Sequence, residues 1–347
     1  MRLIPEKVGA WLAATGPESD VVISSRVRFA RNLADVPFPE RMKPDEEERV
    51  LKTIRWVLKE TGYLKEGLFW EDGSLNEPEG FYFVERHLAS PDFVVGKRKK
   101  GLFASFDETL SLMINEEDHL RFQALASGLD FATAFQKVAA MDEKLEGQLA
   151  YAFSNDWGFL TTCPSNLGTG MRASVLLHLP GLVLTQEIEK VLRGVYSIGL
   201  LIRGIYGEGS EIRGNLFQIS NKRTLGQSEA EIIDVLTGVC RQMIEYEYKA
   251  REYLMHHLRV EIEDKVFRAL GTLRGARIIS TEEATELLTM VRLGVVLGII
   301  NELKLSEVSQ LLILIRPANL QALLGEKLDE GERDERRATL IRQKLVH

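Results

Sequence analysis

TTCPSNLGTGMRASVLLHL (Thr161–Leu179) is the stretch whose reading decides the fold. It carries a cysteine, Cys163, a turn-forming Pro-Ser-Asn run, two glycines, Gly168 and Gly170, and Arg172. Glycines there let backbone approach backbone or a ligand closely. RASVLLHL (172–179) is short, apolar and stopped by Pro180-Gly181, which suits a strand better than a helix. WGFLTT (157–162) reads as the strand that feeds this loop.

Working outward, VVISSRVRFARNL (21–33) begins as a strand after an irregular lead-in over 1–20. Residues 45–60 show an amphipathic helix, with Val50, Leu51, Ile54, Val57 and Leu58 on one stripe. FYFVERH (81–87) and DFVVG (92–96) read as strands, KRKKG (97–101) as the basic tip of a hairpin, and LFASF and LSLMI as continuing strands to about residue 116. Helices follow at 130–150 and 185–199, with strands from 200 and over 216–223. Ser228 with Glu231, and Ser280 with Glu283, have the spacing of capping boxes. After about 250 only helical periodicity remains. The expectation is an α+β chain, an antiparallel sheet flanked by helices over 21–251 and an all-helical region over 252–347.

The 347 residues carry a net charge of -7, which excludes a global basic field for nucleic acid. Cys163 and Cys240 form neither a disulfide framework nor a metal-binding pair, which fits a reducing, cytoplasmic setting. Neither a signal peptide nor a membrane span is expected.

Five arginines fall at or near strand ends: Arg26, Arg28, Arg121, Arg172 and Arg203. Arg26 and Arg28 project to one side of a strand beside Ser24 and Ser25, as an anion site or as a solvated strand face. NEEDHLR (115–121) delivers Glu116, Glu117 and Asp118 to one point. That cluster repels itself unless a cation or guanidinium arrives, although an acidic turn has the same spelling. Cys163 suits either a thiolate near arginines or a small buried side chain. GTGMRA (168–173) matches a dinucleotide fingerprint in letters, but it precedes a strand where the fingerprint must open a helix. The P-loop pattern GxxxxGK[ST] is absent. Near the end, RDERRA (333–338) puts Arg333, Arg336 and Arg337 on one helix face near Asp334.

Taken in order, SSRVR (24–28), NEEDHLR, CPSNLGTGMRAS (163–174), RGIYGE (203–208) and ISNKR (219–223) resemble the phosphagen (guanidino) kinase family. The nearest likeness within it is to the bacterial protein arginine kinases of the McsB type. The resemblance implies an ATP site of Ser24, Ser25, Arg26, Val27 and Arg28, with His87 and Arg121. To these it adds Arg172, Ala173, Ser174, Val175 and Leu176, then Arg203, Gly204, Ile205, Tyr206, Gly207 and Glu208. It implies Glu117 and Glu208 as carboxylates for the acceptor guanidinium and Cys163 as an active-site thiol. Mg²⁺ would be held through the ATP phosphates, without a protein metal site. The resemblance also implies a phosphoarginine receptor at Arg333, Asp334, Glu335, Arg336, Arg337 and Ala338. Free-guanidino kinases carry a small helical domain before the Ser-X-Arg-X-Arg strand, and only 23 residues precede Ser24. An acceptor arginine on a protein is therefore expected, with free arginine or another small guanidino compound, or a non-catalytic phosphoarginine-binding adaptor, as alternatives. Implied partners are the activator McsA, a Clp unfoldase–protease and a second copy of the chain in a homodimer or larger homo-oligomer, but neither nucleic acid nor membrane.

Overall fold

Two-residue alternation of apolar side chains commits the first two thirds of the chain to one sheet. The computed structural model describes residues 8–204 and 214–345. β1 (Val22–Arg31) leads to α1 (Pro44–Glu60), β2 (Gly67–Glu71), the short helices α2 (Phe81–Glu85) and α3 (Pro91–Val95), then β3 (Gly101–Ser105), β4 (Leu110–Ile114) and β5 (Leu120–Ser127). Next come α4 (Phe131–Glu146), a hairpin of β6 (Phe153–Ser154) and β7 (Gly158–Phe159), then β8 (Met171–His178), α5 (Pro180–Leu184), α6 (Ile188–Ser197), β9 (Leu200–Arg203) and β10 (Leu216–Asn221). The rest is helical: α7 (Glu229–His257), α8 (Arg259–Gly275), α9 (Thr281–Val296), α10 (Leu305–Leu314), α11 (Pro317–Leu324) and α12 (Glu330–Leu345). The large sheet runs β2-β3-β4-β5-β1-β8-β10-β9, and its pairings are antiparallel. No helix among the described residues is long and apolar enough to cross a membrane.

The α+β class and the helical C-terminal region expected from sequence are both present. One sheet face sends Val27, Phe29, Phe122, Val175 and Ile219 into a core shared with Ile54 of α1, Val138 of α4 and Leu236 of α7. On the opposite face, Ile23, Leu125, Leu176 and Leu216 pack with Trp11 and with Val266, Leu288, Leu312 and Ile341 of the later helices. A third cluster joins Leu102, Ala104 and Met113 to Tyr82, Phe83 and Phe93 of α2 and α3. α7 runs unbroken through residue 252, so the two regions distinguished in the sequence share a continuous helix.

Several local expectations need correction. FYFVERH and DFVVG are not strands but the helices α2 and α3. Tyr82, Phe83 and Val84 are consecutive and all buried, and a run without alternation does not choose between strand and helix. At α3 the overlooked signals were Ser90, whose Oγ accepts from Phe93 N at 3.1 Å, and Pro91 at the first helical position. KRKKG is not a hairpin tip. Lys100 turns inward and donates to the carbonyls of Phe93, Val94 and Gly96, which caps the end of α3. Of WGFLTT only Gly158–Phe159 is strand, and β5, where no strand was expected, follows the NEEDH turn. The Ser228 capping box forms, with Ser228 N donating to Glu231 Oε2 at 2.7 Å. At α9, Ser280 Oγ accepts from Glu283 N at 3.1 Å.

Glu247 of α7 ties the sheet's flank together. Its fully buried carboxylate accepts from Gly181 N and Leu182 N, each at 2.9 Å, and from Arg251 Nε at 2.7 Å. Replacing Glu247 with Ala would strand two buried N–H groups and leave the buried Arg251 guanidinium with Asp20 as its remaining carboxylate. Urea unfolding of Glu247→Ala should show a loss of about 3–5 kcal/mol.

Candidate active site

Strand alternation aligns the arginines. β1 lies between β5 and β8, with Arg28 opposite both Gln123 and Arg172, and Arg26 opposite Ser174. Arg26, Arg28, Arg121, Arg172 and Arg203 therefore open onto one cleft of about 310 Å³, which His87 and Glu117 also line. Arg26 Nε donates to Ser174 Oγ at 3.3 Å. Burial, with the charges of Arg172 and Arg121, brings Arg26 down to about 10. Arg28 lies well below its ordinary value because of burial and its neighbours Arg26, Arg121 and Arg172, and Glu116 only partly offsets them. Arg28 Nε is buried with no hydrogen-bond partner among the described residues. A row of crowded guanidiniums with an unanswered donor fits a polyphosphate, which supplies both charge and acceptors.

NEEDH is the turn between β4 and β5, and its acidic residues have different surroundings. Glu116 turns inward and takes Arg121 Nη1 on both oxygens, at 2.8 and 2.5 Å, with Ser90 Oγ donating at 2.5 Å. Burial opposes its charge, but Arg121 and these hydrogen bonds hold it below the ordinary range. Asp118 Oδ1 accepts from Asn32 Nδ2 and Thr162 N, each at 2.7 Å. His119 accepts from Leu33 N at 3.0 Å and lies 3.0 Å from Pro37 O, and burial brings it down to about 4. These anchors leave Glu117 half-exposed at the cleft, 3.6 Å from Arg121 Nη2. Burial raises its pKa despite Arg121, assisted by Asp118, Glu116 and Asp92. That makes Glu117 a carboxylate suited to hold a cation and accept its proton.

The Cys163 loop closes the same end. Asn166 Nδ2 reaches Glu117 Oε2 at 3.4 Å. Cys163 is partly exposed, with Sγ 3.0 Å from Ser165 Oγ, in an adjoining pocket that shares Arg172 and Arg203 with the main cleft. Thr224 Oγ1 donates to Ser165 O at 3.0 Å and Leu167 O at 2.5 Å. Gly170 has φ of +66°, and a side chain there would meet Ala30 O at 2.6 Å, so the loop requires glycine.

The chain matches the ATP:guanido phosphotransferase C-terminal catalytic domain over residues 52–250 and the protein-arginine kinase McsB C-terminal domain over residues 259–347. It is 46% identical to the protein-arginine kinase of Halothermothrix orenii, covering 99% of this chain and 98% of that one. The chain belongs to the protein-arginine kinase family. A second member, from Symbiobacterium thermophilum, is 43% identical with the same coverage. Among solved structures, the duplicated taurocyamine kinase of Schistosoma mansoni with transition-state-analogue components superposes with a TM-score of 0.59 at 26% identity. That match covers 67% of this chain, which spans about a third (34%) of the duplicated protein. Lombricine kinase shares the fold, with a TM-score of 0.59 at 22% identity over 70% of this chain and 71% of that one.

Other residues that the family resemblance singles out sit elsewhere. Ser24 lines a small crevice beside the cleft with Ser174, Leu176 and His87. Ser25, Val27, Ala173 and Val175 alternate to the opposite face, where Val27, Ala173 and Val175 enter the core and Ser25 Oγ donates to Gly128 O at 2.9 Å. Gly204 follows β9 directly, and Ile205, Tyr206, Gly207 and Glu208 lie outside the described residues. On α12, Arg337 is buried, donates to Ile315 O and Ile279 O at 2.8 Å each, and pairs with Asp334. Arg333 donates to Leu328 O at 3.3 Å, Arg336 pairs with Glu326 at 3.3 Å, Glu335 is exposed and Ala338 is buried. The sequence reading missed Gln123, Gln218 and Ser220, which also line the cleft. Two-residue alternation from Arg121 along β5, and along β10 itself, would have placed all three there.

If Thr224 holds the loop, Thr224→Val should speed alkylation of Cys163 several-fold. Cys240, fully buried, is the internal reference, and mass spectrometry of each peptide separates the two.

Proposed function

We propose that this protein is an ATP-dependent protein arginine kinase, transferring the γ-phosphoryl group of Mg-ATP to arginine side chains of protein substrates. The observation that carries the reading is the meeting, in one cleft, of the guanidiniums of Arg26, Arg28, Arg121, Arg172 and Arg203 with the half-exposed Glu117. Protein-arginine kinase relatives aligned along nearly the whole chain support it. Arg26, Arg28, Arg121, Arg172 and Arg203 hold the phosphates and balance charge as it develops, as phosphoryl transfer requires. Mg²⁺ bound through those phosphates adds charge neutralisation.

Glu117, with Glu208 as the second carboxylate implied by resemblance, fixes the plane of the acceptor guanidinium. A nitrogen–phosphorus bond forms as the bond from the γ-phosphorus to the leaving ADP oxygen breaks. The proton lost by the attacking nitrogen passes to a carboxylate. Cys163 beside Arg172 and Arg203 adds orientation and charge at the acceptor end. On this reading residues 1–20 are a lead-in, 21–251 catalyse, and 252–347 dimerise and sense phosphoarginine. The marked proteins pass to a Clp-type protease in the cytoplasm, with McsA as activator.

Incubation with Mg-ATP and an unfolded arginine-rich protein should give an acid-labile phosphorus–nitrogen signal in ³¹P NMR, absent with free arginine. A signal with free arginine would mark a small-guanidino kinase instead, and none with either acceptor would leave a binding protein. Glu117→Ala should keep ATP binding and lose at least about a hundredfold in turnover. Because the Glu117 pKa is raised, the wild-type rate should fall on the acid side at a higher pH than an ordinary carboxylate allows, as protonation removes the acceptor. Glu117→Gln should abolish that limb.

The regulatory reading assigns the guanidinium of phosphoarginine to Asp334 and its phosphoryl group to neighbouring arginines of α12. Asp334→Ala and Arg337→Ala should then lose phosphoarginine-dependent changes in activity and in sedimentation. Responses equal to wild type in both assays would remove the sensor from α12.

A further inference from the structure

Glu85 and Arg86 end α2 immediately before His87, a residue of the cleft wall. Both are held by α11, far along the chain. Glu85 accepts from Ala318 N at 3.0 Å and from Asn319 N and Nδ2 at 2.8 Å each. Arg86 is fully buried and donates from Nε to Asn319 Oδ1 at 2.6 Å, and from Nη1 to Glu108 Oε1 at 2.7 Å. Asn319, itself 1% exposed, thus answers a carboxylate with its amide hydrogens and a guanidinium with its oxygen. No neutral apolar side chain reproduces that double role.

His87 follows this clamp directly, at the end of a turn in which its own N–H donates to Val84 O at 2.9 Å. Its φ is +60°, in the left-handed region that few non-glycine residues adopt. Its carbonyl accepts from Gln123 Nε2, its ring meets Trp11 edge-on with centroids 5.2 Å apart, and it shares a crevice with Ser24, Arg26 and Ser174. We propose that Asn319 is a positioning residue for the nucleotide side of the cleft, acting through Glu85 and Arg86 on the turn that carries His87. The C-terminal helical region thereby sets affinity for ATP without touching it. The inference rests on reading this cleft as the ATP site.

The test is fluorescence titration of Mg-ATP binding, with KM for ATP and for the protein acceptor measured in parallel. Asn319→Ala should weaken ATP binding about tenfold, the scale of one lost hydrogen bond to a charged group, and leave the acceptor KM unchanged. Asn319→Asp alone sets two carboxylates against each other and should weaken ATP binding in the same way. Glu85→Gln leaves Asn319 in place but turns an amide NH2 against a backbone N–H of α11, and should weaken ATP binding by a similar factor. Asn319→Asp and Glu85→Gln carry the test where Asn319→Ala does not fold.

Folded variants with wild-type ATP affinity would overturn the proposal. So would wild-type ATP affinity in Asn319→Asp or in Glu85→Gln, or equal losses in both KM values. A wild-type protein that binds Mg-ATP but phosphorylates no arginine would refute the kinase reading while the effect of Asn319 on affinity remained measurable.

Discussion

The structure is arranged around an electrostatic debt: like-charged guanidiniums crowded on one face of a buried sheet. Arg26 and Arg28 are only partly exposed there, and besides burial Arg172 and Arg121 weaken Arg26's hold on its proton while Arg26 weakens that of Arg28. Such a row persists only in a scaffold that removes the freedom to splay apart. Pairing β1 on both sides does this, because strand register fixes each arginine to within the pleat. The apolar residues at alternating positions bury the opposite face and hold that register in place.

The acidic side works by subtraction. Glu116 is spent on Arg121, and Asp118 and His119 are tied to the chain around Asn32 and Leu33. Glu117 is the member of the turn left facing the cleft. Arg121, neutralised by Glu116, keeps its own charge firmly despite burial. A cluster that looks self-repelling in the sequence is a set of paired groups around one available carboxylate.

The parts of this design that follow the two-residue period were legible in the sequence. Arg26 with Arg28 and the strand at 172–179 follow from alternation and from the Pro180-Gly181 stop. The five ordered motifs carried the family resemblance. What misled was the run at 81–96, where aromatic and β-branched residues suggested strands. Burial of the consecutive Tyr82, Phe83 and Val84 overrides that preference, and contact with α11 is invisible to any local pattern. The grip of Asn319 on Arg86 spans more than two hundred residues, so periodicity had no access to it. The RDERRA face was legible as a helix, but not the inward turn of Arg337 to carbonyls just before α9 and just after α10.

The arginines of β1, β5 and β8 stand on neighbouring central strands, whereas Glu117 and Cys163 ride on a turn and a loop outside the sheet. Descent with modification treats these two kinds of support differently. A central strand that gains or loses a residue reverses every side chain after it unless a bulge takes up the change, as the irregularity between Val22 and Ser24 of β1 does, whereas a turn absorbs insertions at little cost. Across distant lineages the strand-borne half of such a cleft is therefore expected to stay frozen while the half on turns and loops diversifies, so that one sheet can serve substrates of different size.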